Sequence, residues 1–254
     1  MSHTAILLAG SRPGRDEFAS SFGTDMKALI PVAGEAMVLR PVRALLQSPN
    51  VSRLLIFSQA PDRLSKIVPE DPRITFLKSS GTIAETMLSV CDDEHTRWPL
   101  LVTTADHALL EPATVEEFLR GAEGFDIAVG VVERANLMKR LPQTRRTWLR
   151  FRGGAYTGAN LFALRSAAVR PGIELWRSVE QDRKKAWRII SVLGPVLLFF
   201  VGLRLLSLGD VLDRLGARLG LRLTAVVLSN PLAGVDVDKA ADHELVEAII
   251  GGKA

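Results

Sequence analysis

The sequence has few of the residues that usually mark disulfide frameworks, zinc sites or nucleic-acid surfaces. Only 6% of its 254 residues are aromatic, and it contains one cysteine and four histidines. A single cysteine excludes an intrachain disulfide, and the apolar helical pattern around Cys91 favours a buried, inert thiol over a nucleophile. The scattered histidines lack zinc-ligand spacing. With so few aromatic side chains, we expect no nucleic-acid partner.

We also expect no secretory leader, and the charges of the two signs nearly balance. Ser2 and His3 lead directly into an apolar run, without a basic start or cleavage site, so we expect a cytoplasmic protein. The formal net charge is only +4. Residues 134–152, however, carry several basic side chains and no acidic one. Such a stretch either attracts anions or is a solvated loop.

One uncharged segment, residues 189–203, is flanked by basic side chains on both sides. It is shorter than the roughly 20 apolar residues of a membrane-spanning helix, and Pro195 would kink it. Two interpretations remain open. The segment is either a buried helix or an interfacial helix whose basic flank faces acidic lipid, with peripheral membrane contact through residues 183–204.

Short apolar runs alternate with helical patterns along most of the chain. The predicted strands are 5–8, 54–57, 74–77, 100–103, 127–132, 159–164 and 223–228. The predicted helices are 38–46, 83–91, 115–122, 173–179, 208–219 and 240–250. This alternation predicts βαβ units, a mainly parallel sheet and helices on both of its faces.

The loop after the first predicted strand suits a polyanion. Gly10 and Gly14 allow backbone N–H groups to approach phosphates closely, and Arg12 and Arg15 can donate bidentate hydrogen bonds. The Walker ending is absent, and the glycine spacing does not fit a dinucleotide fingerprint. Lys27 follows and could reach the same phosphates. A plain strand-to-helix turn and a solvated lysine remain the alternatives.

The stretch LLAGSRPGR, followed by KALIPVAGEAMVLRPVRAL, resembles the opening of the MobA-like nucleotidyltransferases. The resemblance implies a Rossmann-like three-layer α/β/α sandwich with a mainly parallel mixed sheet, of the nucleotide-diphospho-sugar transferase type. It further implies one domain over residues 1–254. Within it we distinguish a nucleotide-binding half (1–132), an acceptor-side half (133–234, with a helical segment at 187–220) and a C-terminal element (235–254) with a metal-binding aspartate and a helix.

The resemblance assigns the nucleotide to the glycine-containing loop and to a small polar stretch before the helix at 83–91. The implied nucleotide-binding residues are Leu8, Ala9, Gly10, Ser11, Gly14, Arg15, Lys27, Ser80, Gly81 and Thr82. Small polar residues at a helix start can contact a sugar or phosphate, but they are also ordinary N-caps, and both can hold together.

The resemblance also implies a metal site and an acceptor side. Asp106 and Asp238 would bind Mg²⁺ or Mn²⁺, with Asp236 a less favoured choice, and helix capping is the alternative for this C-terminal cluster. Arg15, Lys27 and Asp106 are the predicted catalytic residues. The implied acceptor-side residues are Thr157, Gly158 and Asn160. Gly158 and Asn160 could instead be turn residues.

Four departures from the family pattern leave the nucleotide base open. Met26 precedes the lysine where proline is usual, no proline follows Asp106, and Lys239-Ala240 replaces Thr-Pro. The stretch between Arg15 and Lys27 is also long and contains the acidic residues Asp16, Glu17 and Asp25. We expect transfer of a nucleoside monophosphate from a triphosphate, with CTP or GTP favoured, to a phosphorylated sugar, polyol or lipid head group, releasing pyrophosphate.

Two other functions compete with this expectation. A glycosyltransferase would use a nucleotide-sugar donor and typically has an Asp-x-Asp pair, but Thr104 stands at the first position here. A nucleotide-binding protein without catalysis is the second alternative. The sequence leaves the oligomeric state open.

Overall fold

The computed structural model describes residues 2–10, 14, 16–79, 81–181 and 205–253. Four of the residues considered above, Ser11, Arg12, Arg15 and Ser80, lie outside this part of the chain. So does the whole segment at 183–204, for which membrane contact is an open interpretation. Within the described ranges, no helix combines the length and the hydropathy needed to cross a membrane.

The described strands form one large mixed sheet with β1 near its centre. The strands are β1 (His3–Leu8), β4 (Val51–Ser58), β5 (Ile74–Lys78), β6 (Leu100–Thr104), β7 (Ile127–Glu133), β8 (Leu149–Phe151), β9 (Gly154–Leu164) and β10 (Leu223–Val227). Their order is β10-β7-β9-β6-β1-β4-β5, with β8 paired to β9. Strand β9 runs antiparallel to β6 and β7, and the other neighbours along this order are parallel. A separate small hairpin joins β2 (Pro31–Val32) to β3 (Glu35–Ala36).

Helices cover both faces of the sheet. The α-helices are α1 (Glu17–Ser21), α2 (Leu39–Gln47), α3 (Pro61–Leu64), α4 (Ile83–Asp92), α5 (Pro112–Ala122), α6 (Arg134–Arg140), α7 (Arg170–Gln181), α8 (Leu208–Leu219) and α9 (Ala240–Ile250). Short 3₁₀ helices occur at Lys27–Leu29, Ala167–Val169 and Pro231–Gly234.

Alternation along β1 explains the three layers. Leu7 belongs to the apolar core that includes α2 and α5, whereas Ile6 belongs to a second core that includes α4 and α7. Both side chains are fully buried. Because successive strand residues point to opposite faces, a strand that is apolar throughout has to be covered on both sides. The predicted α/β sandwich with a mainly parallel mixed sheet is therefore confirmed.

The second half contains the main differences from expectation. Strand β9 begins before the predicted strand at 159–164 and so includes Thr157 and Gly158 as well as Asn160; the interpretation of Gly158 and Asn160 as turn residues is wrong. Residues 134–152 contain α6 and β8 in addition to loop. The sequence patterns also did not predict the small hairpin, α1 and α3, which lie in the first half of the chain. These elements are short, and their pairing and packing partners decide them more than periodicity does.

Candidate active site

The carboxyl ends of β1 and β6 bring the first loop and Asp106 together. Leu8, the last residue of β1, pairs with Thr104, the last residue of β6. The ladder continues for one more residue, because the Ala105 amide donates to the Leu8 carbonyl at 3.0 Å. Ligands of open α/β sheets bind beyond this edge. Ala9 and Gly10 therefore leave the sheet beside the turn that carries Asp106.

Lys27 links the two predicted metal-binding aspartates. Its Nζ lies 2.7 Å from Asp106 Oδ2 and 2.6 Å from Asp238 Oδ1, although the two aspartates are far apart in sequence. The lysine side chain is 19% exposed, so its interpretation as a solvated surface residue is wrong. Burial lowers the pKa of Lys27, but the two carboxylates raise it by more, and the net pKa lies above its usual value. The ammonium therefore stays charged at neutral pH.

Backbone contacts join the two aspartate-bearing turns. The Val237 amide donates to the Asp106 carbonyl at 3.1 Å, and the Thr104 hydroxyl donates to the Asp106 carboxylate. His107, directly after Asp106, is almost completely buried. This burial lowers the pKa of His107 to about 4, so its ring is neutral at pH 7. The turn after β6 is thus held by packing and hydrogen bonds on the side away from Lys27.

A second basic side chain, that of Arg146, contacts the aspartates on either side of Asp238, and sequence reasoning missed its role. Arg146 contacts the carboxylates of both Asp236 and Asp242, the latter at 3.1 Å between Nη2 and Oδ1. Its Nη2 also donates to the Asp236 carbonyl oxygen at 3.2 Å. Its side chain is only 8% exposed. No signal distinguished Arg146 from its basic neighbours, because its partners lie about 90 residues further along the chain.

The predicted acceptor-side residues have different environments. Asn160 Nδ2 donates to Asp236 Oδ2 at 3.3 Å, so this side chain joins the Arg146 cluster. Its backbone has a positive φ of 49°, at an irregularity in the pairing of β9 with β7. Thr157 is buried, and its methyl group packs so closely on Gly234 that a Cβ there would approach it to 2.9 Å. The assignment of Thr157, Gly158 and Asn160 to an acceptor stays a prediction.

Protein groups cap the start of α4. The Thr82 hydroxyl accepts from the Glu85 amide at 3.2 Å, and the Glu85 carboxylate accepts from the Thr82 amide at 2.9 Å. Glu180 of α7 accepts from the Ala84 amide at 3.1 Å. Gly81 has a positive φ of 74°, which glycine adopts without steric cost. The interpretation of Thr82 as an N-cap is therefore correct, whereas nucleotide contact by Gly81 and Thr82 stays a prediction.

The donor set suits a hard divalent cation. One oxygen from Asp106 and one from Asp238 already meet at a single positive charge, that of Lys27. Mg²⁺ is usually held by one or two carboxylates and takes its remaining ligands from water and substrate phosphates. Among the residues described, no group of three or more His, Cys, Asp or Glu side chains is placed to hold a metal. A cation here would therefore depend on substrate oxygens for part of its shell.

Comparisons with known proteins agree with the fold. Residues 5–194 match the MobA-like NTP transferase domain. A hypothetical transferase from Thermus thermophilus is 30% identical, with a TM-score of 0.81, and the match covers 96% of this chain and all of that one. No curated protein matches the sequence.

Two more distant structures share the fold. The 4-diphosphocytidyl-2C-methyl-D-erythritol synthase of Anaerococcus prevotii is 9% identical, with a TM-score of 0.63 over 98% of this chain and 96% of that one. A nucleotidyl transferase from Methanothermobacter thermautotrophicus is 16% identical, with a TM-score of 0.55 over 100% of this chain and 99% of that one. The domain match covers most of the sequence, and the chain therefore belongs to the MobA-like NTP transferase family, an enzyme family of the nucleotidyltransferase type.

Proposed function

We propose that this protein transfers a nucleoside monophosphate from a nucleoside triphosphate to a phosphorylated small molecule and releases pyrophosphate. The observation that carries the proposal is the meeting of Asp106 and Asp238 at Lys27 Nζ. This cluster lies at the carboxyl ends of β1 and β6, beside the loop that begins at Ala9. Two carboxylates and a mobile point charge at this edge suit the handling of a metal-bound triphosphate.

The reaction requires no protein nucleophile. A phosphate oxygen of the acceptor forms a bond to the α-phosphorus, and the bond from that phosphorus to the oxygen bridging to the β-phosphorus breaks. The electron pair leaves with pyrophosphate. Catalysis then consists of holding the two reactants in line and stabilising the negative charge that develops on the leaving group.

The protein's own residues have distinct roles in this proposal. The backbone of Leu8, Ala9, Gly10 and Gly14 would approach the phosphates, and Lys27 would donate to the β- and γ-phosphate oxygens. A lysine ammonium has three donors on a flexible stem and can exchange carboxylate partners for phosphate partners. On the family resemblance, the remaining nucleotide contacts come from Ser11, Arg15, Ser80, Gly81 and Thr82.

Asp106 and Asp238 would hold Mg²⁺, or Mn²⁺ in its place. Such an ion would supply charge stabilisation for the α-phosphate and the departing pyrophosphate. Lys27 would then have to leave the position between the two carboxylates, and the phosphates of the triphosphate offer its ammonium alternative partners.

The acceptor is proposed to be a phosphorylated sugar, polyol or lipid head group, bound on the side of Thr157, Gly158 and Asn160. CTP and GTP are the favoured donors. A lipid head-group acceptor would fit peripheral membrane contact through residues 183–204. Co-sedimentation with vesicles containing acidic phospholipid tests this contact, and failure to pellet at low ionic strength would remove it.

A pyrophosphate-release screen tests the proposal. Each of the four common ribonucleoside triphosphates is paired with a panel of phosphorylated sugars, polyols and amino alcohols, with Mg²⁺ present. We expect release that requires one triphosphate and one acceptor class, and a product that contains the nucleoside monophosphate. Release without any acceptor, or nucleotide binding without release in every pair, would contradict the proposal.

A further inference from the structure

We infer that Arg146 is a positioning residue that holds the turn carrying Asp238, so that the Asp238 carboxylate lies beside Asp106 and Lys27. The inference rests on the proposed function, in which Asp238 is one of two metal-binding carboxylates. Arg146 contacts Asp236 and Asp242, which lie on either side of Asp238 in the chain.

Arg146 fixes the turn on both sides of Asp238. Before Asp238, the guanidinium binds the Asp236 carboxylate. Its Nη2 also donates to the Asp236 carbonyl at 3.2 Å, so it holds the backbone of this residue as well as the side chain. After Asp238, Nη2 lies 3.1 Å from Asp242 Oδ1. The planar fork of an arginine suits several acceptors at fixed angles, which a lysine ammonium does not.

The contact continues from Asp242 to Asp238 itself. The other carboxylate oxygen of Asp242, Oδ2, accepts a hydrogen bond from the Asp238 amide at 3.3 Å. Asp242 is only 9% exposed, whereas the Asp238 side chain is 62% exposed. An exposed side chain on a turn has little packing to orient it. The backbone of Asp238 is therefore held by the Asp242 carboxylate, which is held in turn by Arg146.

Charge gives a second reason for the arrangement. The carboxylates of Asp236, Asp238 and Asp242 lie within seven residues of one another in the chain, and the Arg146 guanidinium contacts two of them. The guanidinium thus offsets repulsion among carboxylates that must lie close together. Because its side chain is only 8% exposed and is already engaged by these aspartates, Arg146 is not available as a substrate-phosphate clamp. This distinguishes it from the solvated or anion-attracting role considered for the whole stretch.

The test compares Arg146→Lys and Arg146→Met with the control Arg152→Met. Arg152 also contacts an aspartate at 3.1 Å, Asp210 Oδ2, but this pair is exposed and joins the turn after β8 to α8. Arg146→Lys retains a buried positive charge, so it is the variant expected to fold normally. We expect kcat in both Arg146 variants to fall by about 10- to 100-fold, as for other residues that support metal ligands. The KM for the triphosphate should change by less than about threefold.

A measurement without turnover separates this inference from the proposed function. Amide hydrogen exchange at residues 237–242 is compared between the wild type and the variants in the absence of nucleotide and metal. Mn²⁺ binding is measured by electron paramagnetic resonance. We expect faster exchange and about 10-fold weaker Mn²⁺ binding in Arg146→Lys, and no change in Arg152→Met.

The outcomes are distinct. A folded Arg146→Lys variant with wild-type exchange at 237–242, or with wild-type Mn²⁺ affinity and kcat, would overturn the positioning role. If the wild type neither binds Mn²⁺ nor releases pyrophosphate, the proposed function fails. The exchange measurement then still decides whether Arg146 orders the turn: faster exchange in both variants supports its hold on the turn, and unchanged exchange overturns it.

Discussion

Two clusters in this molecule have the same composition, one cation and two aspartates, but they are placed differently. In the first, Lys27 contacts Asp106 and Asp238, and the Asp238 side chain is 62% exposed. In the second, Arg146 contacts Asp236 and Asp242, and the exposed fractions are 8%, 28% and 9%. The C-terminal aspartates thus differ in exposure: the Asp238 side chain is mostly exposed, and those of Asp236 and Asp242 are less exposed.

Burial and the type of basic side chain distinguish the proposed site at Lys27 from the Arg146 cluster that is proposed to position it. An ammonium at a partly open edge can be displaced by another cation or turn to a phosphate, because water and ligands compete for its partners. A buried guanidinium bound to several oxygens cannot leave without stranding two charges. We therefore expect changes in the Lys27 cluster to reduce activity, and changes in the Arg146 cluster to reduce stability as well.

The largest expected effect comes from Asp106→Ala. Loss of this carboxylate removes half of the protein's proposed metal ligands, and we expect kcat for pyrophosphate release to fall by about 10³-fold or more. The melting temperature should remain within a few degrees of the wild-type value, since Lys27 keeps Asp238 as an ion-pair partner. Asp62→Ala, on the exposed part of α3, is the control and should retain full activity. Near-wild-type release from Asp106→Ala would mean that the site is elsewhere.

Arg146→Met should have the largest effect on stability. Removal of one partner from a buried ion pair leaves uncompensated charge, and we expect the free energy of unfolding to fall by about 3–5 kcal/mol. Urea denaturation measures this, with Arg152→Met as the exposed counterpart, for which a loss of about 1 kcal/mol or less is expected. Equal losses in the two variants would show that burial does not distinguish the clusters.

Lys27→Met should separate activity from stability. We expect kcat to fall by about 10²-fold, because one donor to the developing charge is lost. The free energy of unfolding should fall by less than in Arg146→Met, because Asp238 is 62% exposed and can be solvated, although Asp106 is only 18% exposed. Millimolar Mg²⁺ should raise the melting temperature of Lys27→Met but should not restore Arg146→Met to wild-type stability. A variant that Mg²⁺ leaves unchanged would argue against metal binding by Asp106 and Asp238.

Asn160 should have the smallest effect of the four. Asn160→Gly removes the hydrogen bond to Asp236, which costs about 1.5–3 kcal/mol, but glycine relieves about 1 kcal/mol at the positive φ of this position. We therefore expect a net loss near 1 kcal/mol, and a larger loss in Asn160→Ala, which gains no relief. The order of the two variants in urea denaturation tests whether the backbone conformation contributes. A more stable alanine variant would contradict it.

Most of the fold could be predicted from the sequence because its long elements have strong periodic patterns. The strands at β1, β4, β5, β6 and β7 are apolar runs that agree with the predictions to within a few residues. Lys27 and Asp106 could be selected from the sequence and its family resemblance. The length of β9 could not, because its first residues are small and polar and become a strand by pairing with β7 and β8.

Sequence by itself determined the sandwich, the glycine-containing loop, and the residue types available at the edge of the sheet, because these follow from local periodicity and from where strands end. Tertiary structure alone decided which cation meets which carboxylate. Lys27 and Arg146 are both basic residues in the sequence. Only the packing of residues 236–242 against Asp106 and Arg146 gives Lys27 an exposed partner, Asp238, and gives Arg146 less exposed partners. Such pairings depend on distance and burial, which chain order does not encode.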